Sequence, residues 1–233
     1  MIKRIILIFL VFIQIQILAQ DPSEIMKKNY HELNARNIPA QLNSVRLTYQ
    51  IKYKERPATW SQTMIEGVGY KSEILIDGKV VESDFALVPN KTKSVNLLPS
   101  DVASIKRKSK IYPQTYGVSD TNLNESITTR PLGNEEVEGV LCNSVMTIDP
   151  KFPDLGNIRY SFHPETNMLV KEVQTIIKDN QSTENETIYS SYETYEEKWK
   201  FPNKLRNKYG DCELTKVEIN PKITSKDLTQ PKL

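Results

Sequence analysis

The sequence predicts a mainly β protein: a single curved antiparallel sheet, an open half-barrel, with two short helices on or over its concave side. Three observations predict it. Short segments of alternating polar and apolar residues recur along most of the chain. Turn signals built from Gly, Pro, Asn and Asp separate them at short intervals. Helical periodicity is confined to two short stretches, too few to supply the crossovers of a parallel sheet. A long antiparallel meander curls or closes, because exposed edges invite pairing with other chains.

The chain opens with Met1-Ile2-Lys3-Arg4, an apolar run from Ile5 to Ile13, and Ala19-Gln20 before a polar start. Two basic residues, a short apolar core and a small residue make a secretory signal peptide over residues 1–20. The run falls short of the roughly 20 residues that span a bilayer. The expected chain is secreted. The half-barrel domain is expected over residues 21–225 and a fraying polar tail over 226–233. The chain holds 31 Lys+Arg and 29 Asp+Glu. Loss of Lys3 and Arg4 with the signal leaves a formally neutral chain, which gives no support for a nucleic acid partner.

The first mature element is a helix. Asp21 can cap it, Pro22 fits the first turn, and Ile25, Met26, Asn29, Tyr30 and Leu33 make one stripe. Val45, Leu47, Tyr49, Ile51 and Tyr53 then alternate strictly with Arg46, Thr48, Gln50, Lys52 and Lys54, the clearest strand in the chain. Glu55-Arg56-Pro57 turns into a strand over Thr59–Tyr70, with a bend at Gly67 and Gly69. A hairpin follows through Asp77-Gly78. A looser one joins Phe85–Val88 to Ser94–Leu98. Ser100 or Asp101 can cap a second helix carrying Val102, Ile105 and the basic residues Lys106, Arg107, Lys108 and Lys110. That basic run reads first as a solvated helix face and second as a greeting for an anionic head group.

Ser119–Arg130 reads as a loop or an edge strand. Strands follow over Val140–Asp149, Ile158–His163 and Leu169–Ile177. Tyr189–Tyr195 reads as the closing edge of the sheet, with Phe201-Pro202 stopping its ladder because Pro donates no hydrogen bond. In the last strand Leu214 falls out of period with Val217 and Ile219, which implies a bulge at Thr215-Lys216. The count is roughly ten strands. Cys142 and Cys212 could pair in an oxidising compartment. Their separation by several strands makes two buried thiols the stronger reading.

The segments Leu132-Gly133-Asn134-Glu135-Glu136-Val137-Glu138-Gly139-Val140, Tyr192 through Phe201-Pro202-Asn203-Lys204, and Val217-Glu218-Ile219-Asn220-Pro221 resemble secreted bacterial outer-membrane lipoprotein-sorting proteins of the LolA/LolB-like family. So does the order of features: signal, Asp-Pro-Ser-Glu-Ile helix, meander, Pro-Ser-Asp-Val helix. The resemblance implies an open half-barrel with helices over an apolar cavity that holds acyl chains.

No catalytic or metal signature accompanies it. The two His, His31 and His163, lie apart in sequence, and there is no Cys-x-x-Cys, Gly-x-Ser-x-Gly elbow or phosphate loop. The expected protein is not an enzyme and needs no cofactor. It is a periplasmic carrier whose partner is an apolar ligand, a lipid or lipoprotein acyl chain, with a membrane-associated protein as a further partner. The expected ligand wall is Leu47, Tyr49, Ile51, Tyr53, Ile158, Tyr160 and Phe162. The competing reading is a secreted interaction module with a filled core, meeting a protein partner through Tyr189, Tyr192, Tyr195 and Trp199.

Overall fold

A computed structural model describes residues 21–38, 40–89, 99–115, 127–151, 156–178 and 181–229. The expected signal peptide, the Ser94–Leu98 strand and most of Ser119–Arg130 lie outside these residues. Helix α1 spans Pro22–Glu32, with the Asp21 side chain accepting from the Ser23 backbone N–H at 2.9 Å. Asn34, in the left-handed conformation, ends it. Four strands follow: β1 Ser44–Tyr53, β2 Arg56–Ile65, β3 Gly69–Ile76 and β4 Lys79–Leu87. Helix α2 spans Pro99–Lys108. Seven more strands run in sequence: β5 Thr128–Val137, β6 Val140–Ile148, β7 Asn157–Phe162, β8 Leu169–Lys178, β9 Gln181–Tyr195, β10 Trp199–Asn207 and β11 Gly210–Ile219. A short helix, α3, spans Ser225–Thr229.

All eleven strands form one antiparallel sheet in the order β4-β3-β2-β1-β11-β10-β9-β8-β7-β6-β5. The chain meanders outward from the centre to β4 and restarts at the opposite edge with β5. It then meanders back until β11 pairs with β1. The alternation of β1 buries Val45, Leu47, Tyr49 and Ile51 on one face. Register continues that face across Trp60 of β2, opposite Tyr49, and Ile74 of β3, opposite Trp60. Side chains of β3 and of β9 line one common cavity although four strands lie between them, so the sheet is strongly curved. It is not closed: β4 and β5 are its two edges.

Several expectations change. Tyr189–Tyr195 is no edge. β9 lies inside the sheet between β8 and β10, because β11 returns to pair with β1. Pro202 does not stop a ladder either. β10 runs through it opposite Tyr192, and β10 pairs with β11 only from Lys204 onward. The proline therefore sits where its strand has one partner. Thr59–Tyr70 is split by a turn at Glu66–Val68, and Phe85 belongs to the same strand as Lys79, β4. Pro131 and Gly133 flank a register shift inside an edge strand, β5, that reaches Val137. The bulge at Thr215 is present: Thr48 pairs with Lys216 and Tyr49 with Leu214. The tail does not fray at once, since α3 packs on β3 and β4 and Leu228 is fully buried.

Candidate functional site

The segment after α2 decides the site. Residues 107–114, from the last turn of α2 onward, lie over the inner face of the sheet as a strap fastened by both polar and apolar contacts. Arg107 Nη2 donates to Glu172 Oε1 of β8 at 2.7 Å and to the Tyr160 hydroxyl of β7 at 3.2 Å. Lys110 Nζ donates to Glu66 Oε1 at 2.6 Å, and the Ile111 backbone N–H donates to Glu66 Oε2 at 2.8 Å. Ile111 and Tyr112 turn inward and are buried, with the Tyr112 ring 5.4 Å from that of Phe201.

Between strap and sheet lies a cavity of about 740 Å³. Its apolar wall comes from Leu47 and Tyr49 (β1), Trp60 and Met64 (β2), Ile74 (β3), and Phe201 and Leu205 (β10). Tyr189 and Tyr192 of β9 join them. They are three residues apart, and strict alternation would send them to opposite faces. Ser191, at φ 54, breaks the pleat between them. The Tyr192 hydroxyl donates to the Leu169 carbonyl at 3.0 Å. At one end the turn carrying Tyr209 folds inward, placing its ring 5.5 Å from Trp60.

The electrostatics are those of a dry interior with paired charges. Burial pushes the phenols of Tyr49 and Tyr192 far above their ordinary value. It also takes Tyr160 up to about 12, against the pull of Arg107. Burial opposes the charge on Arg107, but Glu172 and then Tyr160 outweigh it and hold the guanidinium ionised. Glu82 lies below its ordinary range, chiefly because the Tyr53 hydroxyl donates to it.

The fold has counterparts among solved structures. No protein-family model matches the chain, and no curated protein matches it by sequence. Among solved structures the chain is similar to the LolA superfamily protein from Nitrosomonas europaea. The TM-score is 0.52 at 8% identity, covering 91% of this chain and 99% of that one. The chain shares its fold with that LolA superfamily protein. A domain from Vibrio parahaemolyticus assigned to outer-membrane lipoprotein sorting aligns with a TM-score of 0.49 at 13% identity, over 89% of this chain and 97% of that one. A DUF1329 family protein from Desulfovibrio piger aligns with a TM-score of 0.46 at 9% identity, over 90% and 100%.

Within this LolA-like fold the seven expected wall residues separate into three groups. Leu47 and Tyr49 line the cavity. Ile51 and Tyr53 border a second, more polar hollow beside the β10–β11 turn. Ile158, Tyr160 and Phe162 face α1 instead, packed with Ile25, Met26, Val145 and Leu169. α1 fills that half of the inner face, so those three residues line no part of the cavity. The residues that sequence reasoning passed over are Trp60, Met64 and Ile74, on strands whose alternation was visible, and Tyr112, in a short stretch with no periodicity.

The basic run on α2 is largely committed to the fold. Arg107 and Lys110 are ion-paired, and Lys108 lies 3.8 Å from Asp84 with its ammonium over the Tyr70 ring. On the outer face Glu135 accepts from Lys171 at 2.8 Å and from Ser161 at 2.8 Å, so the buried serine there is a hydrogen-bond donor to a carboxylate. His163 Nδ1 accepts from the backbone N–H groups of Glu165 and Thr166, which closes a turn. Among the described residues no group of three or more His, Cys, Asp or Glu could hold a metal, and no helix is long and apolar enough to cross a membrane. Trp199 is only 1% exposed, and Tyr189 and Tyr192 face the cavity. Three of the four aromatics required by the interaction-module reading are therefore turned inward, and Tyr195 is half-buried with its ring 6.0 Å from that of Phe201.

Proposed function

We propose that the protein is a non-enzymatic carrier that shelters an apolar ligand, a lipoprotein acyl chain or another lipid, in the cavity beneath the strap. The observation that carries this reading is a hollow of about 740 Å³ whose apolar wall includes Leu47, Tyr49, Trp60, Met64, Ile74, Phe201 and Leu205. Its size falls within the range of roughly 300–1,000 Å³ usual for small-molecule sites. Each methylene buried there contributes about 0.8 kcal/mol. Ordering of the strap and the ligand offsets part of that gain. The shared fold supports the reading, and so does the pairing of Arg107 with Glu172 and of Lys110 with Glu66, which leaves neither strap cation uncompensated. Leu47 and Tyr49 are the proposed ligand contacts from β1.

The carrier works in the periplasm, reached through the signal peptide. It receives and delivers its cargo at a bilayer, and so meets a membrane-associated protein. Native mass spectrometry of protein purified from the periplasm, followed by lipid extraction, tests the proposal. A lipid co-purifying in stoichiometric amount is the expected result. Protein that emerges empty and also fails to take up a neutral fluorescent apolar probe would sink it.

A further inference from the structure

Two carboxamides line the cavity, and neither is spent on the protein. Gln62 of β2 stands at an inward position between Trp60 and Met64, and Gln114 ends the strap. Among the described residues neither side chain makes a hydrogen bond. Neither amide is walled off, in contrast to the Tyr112 hydroxyl two residues before Gln114, which is sealed inside the protein. Gln114 is nonetheless only 8% exposed as a whole, and it borders the cavity. A single 3-10 turn, Pro113–Thr115, holds it there. The Thr115 backbone N–H and hydroxyl both donate to the Tyr112 carbonyl, at 2.9 and 2.7 Å, while Ile111 and Tyr112 are packed into the core. Burying a carboxamide without a partner is costly, and buried polar groups are as a rule paired. A methionine would fill the same place in an apolar wall without that cost.

The chemistry of the amide restricts its partner. A carboxamide presents an N–H donor and a carbonyl acceptor side by side. An alkyl chain meets neither. A carbonyl oxygen takes the donor and leaves the acceptor idle. A hydroxyl serves both at once, accepting from the N–H and donating to the amide oxygen. The strap cations restrict its charge. Arg107 is paired with Glu172, Lys110 with Glu66, and Lys108 lies 3.8 Å from Asp84, so an anionic group finds no free counter-charge on the strap.

We infer that the cavity takes a hydroxylated lipid, an acyl chain or similar apolar body carrying a neutral hydroxyl, and that the Gln114 carboxamide receives that hydroxyl. The inference rests on the carrier reading and narrows it. The apolar wall recognises the chain, and Gln114 selects among chains by their hydroxyl. Gln62, which is only half-buried, offers a second and wetter station on the sheet.

The test uses methyl laurate and its 3-hydroxy and 12-hydroxy derivatives, which carry the hydroxyl at either end of the chain. Each displaces N-phenyl-1-naphthylamine from the full mature protein, after removal of co-purified lipid, and from Gln114→Met. The variant keeps the length of the side chain and removes the amide. A hydroxyl entering the cavity without a partner should weaken binding about tenfold. At least one hydroxy ester is instead expected to bind the wild type as tightly as methyl laurate or more tightly. Its affinity relative to methyl laurate is expected to fall about three- to tenfold in the variant, the loss of one hydrogen bond. The ligand-free variant is expected to melt at the same temperature as the wild type or higher, since an unpaired amide has been removed. If both hydroxy esters bind the wild type more weakly than methyl laurate, water alone serves Gln114 and the subsite is overturned. A ratio equal in the two proteins overturns it as well, and so does a lower melting point, which would show that the amide has a structural partner. Those results leave the carrier reading standing if the fluorescent probe binds. Failure of the wild type to bind the fluorescent probe overturns both.

Discussion

The Tyr209 hydroxyl donates to Glu82 Oε1 at 3.0 Å, joining residues 127 positions apart. Tyr209 belongs to the turn between β10 and β11, and Glu82 to the edge strand β4. Three strands separate β4 from β11 in the sheet. The bond therefore crosses the open side of the half-barrel and ties its edge to its centre. Glu82 Oε2 also accepts from Tyr53 at 2.8 Å, so one carboxylate gathers two hydroxyls at the end of the cavity.

A titration follows from that clasp. Glu82 lies below its ordinary value of 4.5, first through the Tyr53 hydrogen bond and further through Tyr209. A depressed folded-state value stabilises the fold fully above the unfolded value and loses that contribution as pH falls through the folded one. Wild type and Glu82→Gln should therefore differ most near neutrality. The gap should close as pH falls below the ordinary value and through the lower folded one, where the protonated carboxyl resembles the amide. Urea midpoints measured across that interval check it. A gap constant with pH would show that the Glu82 charge contributes nothing.

The strap offers a second prediction. Arg107 and Glu172 keep only 13% and 15% of their side-chain surface exposed. Removing one member of such a pair strands the other, at a cost of about 3 kcal/mol. Glu172→Leu should lower the urea midpoint accordingly. Arg107→Leu combined with Glu172→Leu should recover part of the loss, because no charge is left buried. Recovery should stop short of wild type, since Tyr160 loses the donor at 3.2 Å. A double variant as weak as the sum of the singles would show that the two residues act independently.

The contrast between fold and site legibility has a physical cause. β1 could be read because one of its faces is wet and the other dry, and that difference is written residue by residue in Val45, Leu47, Tyr49 and Ile51. The bulge at Thr215 was legible for the same reason, as a slip in the period. The place of β9 was not, since only the return of β11 to β1 makes it internal, and pairing between distant strands leaves no local mark. Three of the seven expected wall residues turned out to face α1. Periodicity shows that a residue is buried but not what buries it: Phe162 meets Ile25 and Met26, while Tyr49 meets a hollow. Tyr112 had no signal at all. A short strap held by side-chain hydrogen bonds carries no period, and its placement comes from Glu66 and Glu172, which lie far away in sequence.

The C-terminal helix provides a stability prediction. Leu228 is fully buried against β3 and β4. Its Cδ1 stands 3.0 Å from where a Cβ on Gly69 would lie, and the Ala86 carbonyl oxygen stands 2.5 Å from it. The missing side chain at Gly69 is what lets β4 and α3 close on β3. Leu228→Ala should cost about 2 kcal/mol, at the low end for a buried leucine because a helix this short yields easily. The melting point should fall by roughly 4–8 °C, and trypsin should cut at Lys222 and Lys226 faster. Gly69→Ala should destabilise as well, through backbone displacement of β4. An unchanged melting point in both variants would mean that α3 contributes nothing to the fold.

Cys142 and Cys212 are both unpaired and buried, on β6 and β11. Five strand spacings separate those strands, about 24 Å along the sheet, whereas a disulfide needs Cα atoms within about 7 Å. An oxidising compartment should therefore leave both thiols free. Burial, followed by the neighbouring Asp211, raises the Cys212 thiol from 9.0 to about 11. At pH 8 only about one molecule in a thousand carries the reactive thiolate there. Alkylation of the native protein with iodoacetamide should be slow, and alkylation after denaturation should modify two residues at once. Intact mass should not change on reduction. A gain of two hydrogens on reduction would require β6 and β11 to meet, and would contradict the strand order itself.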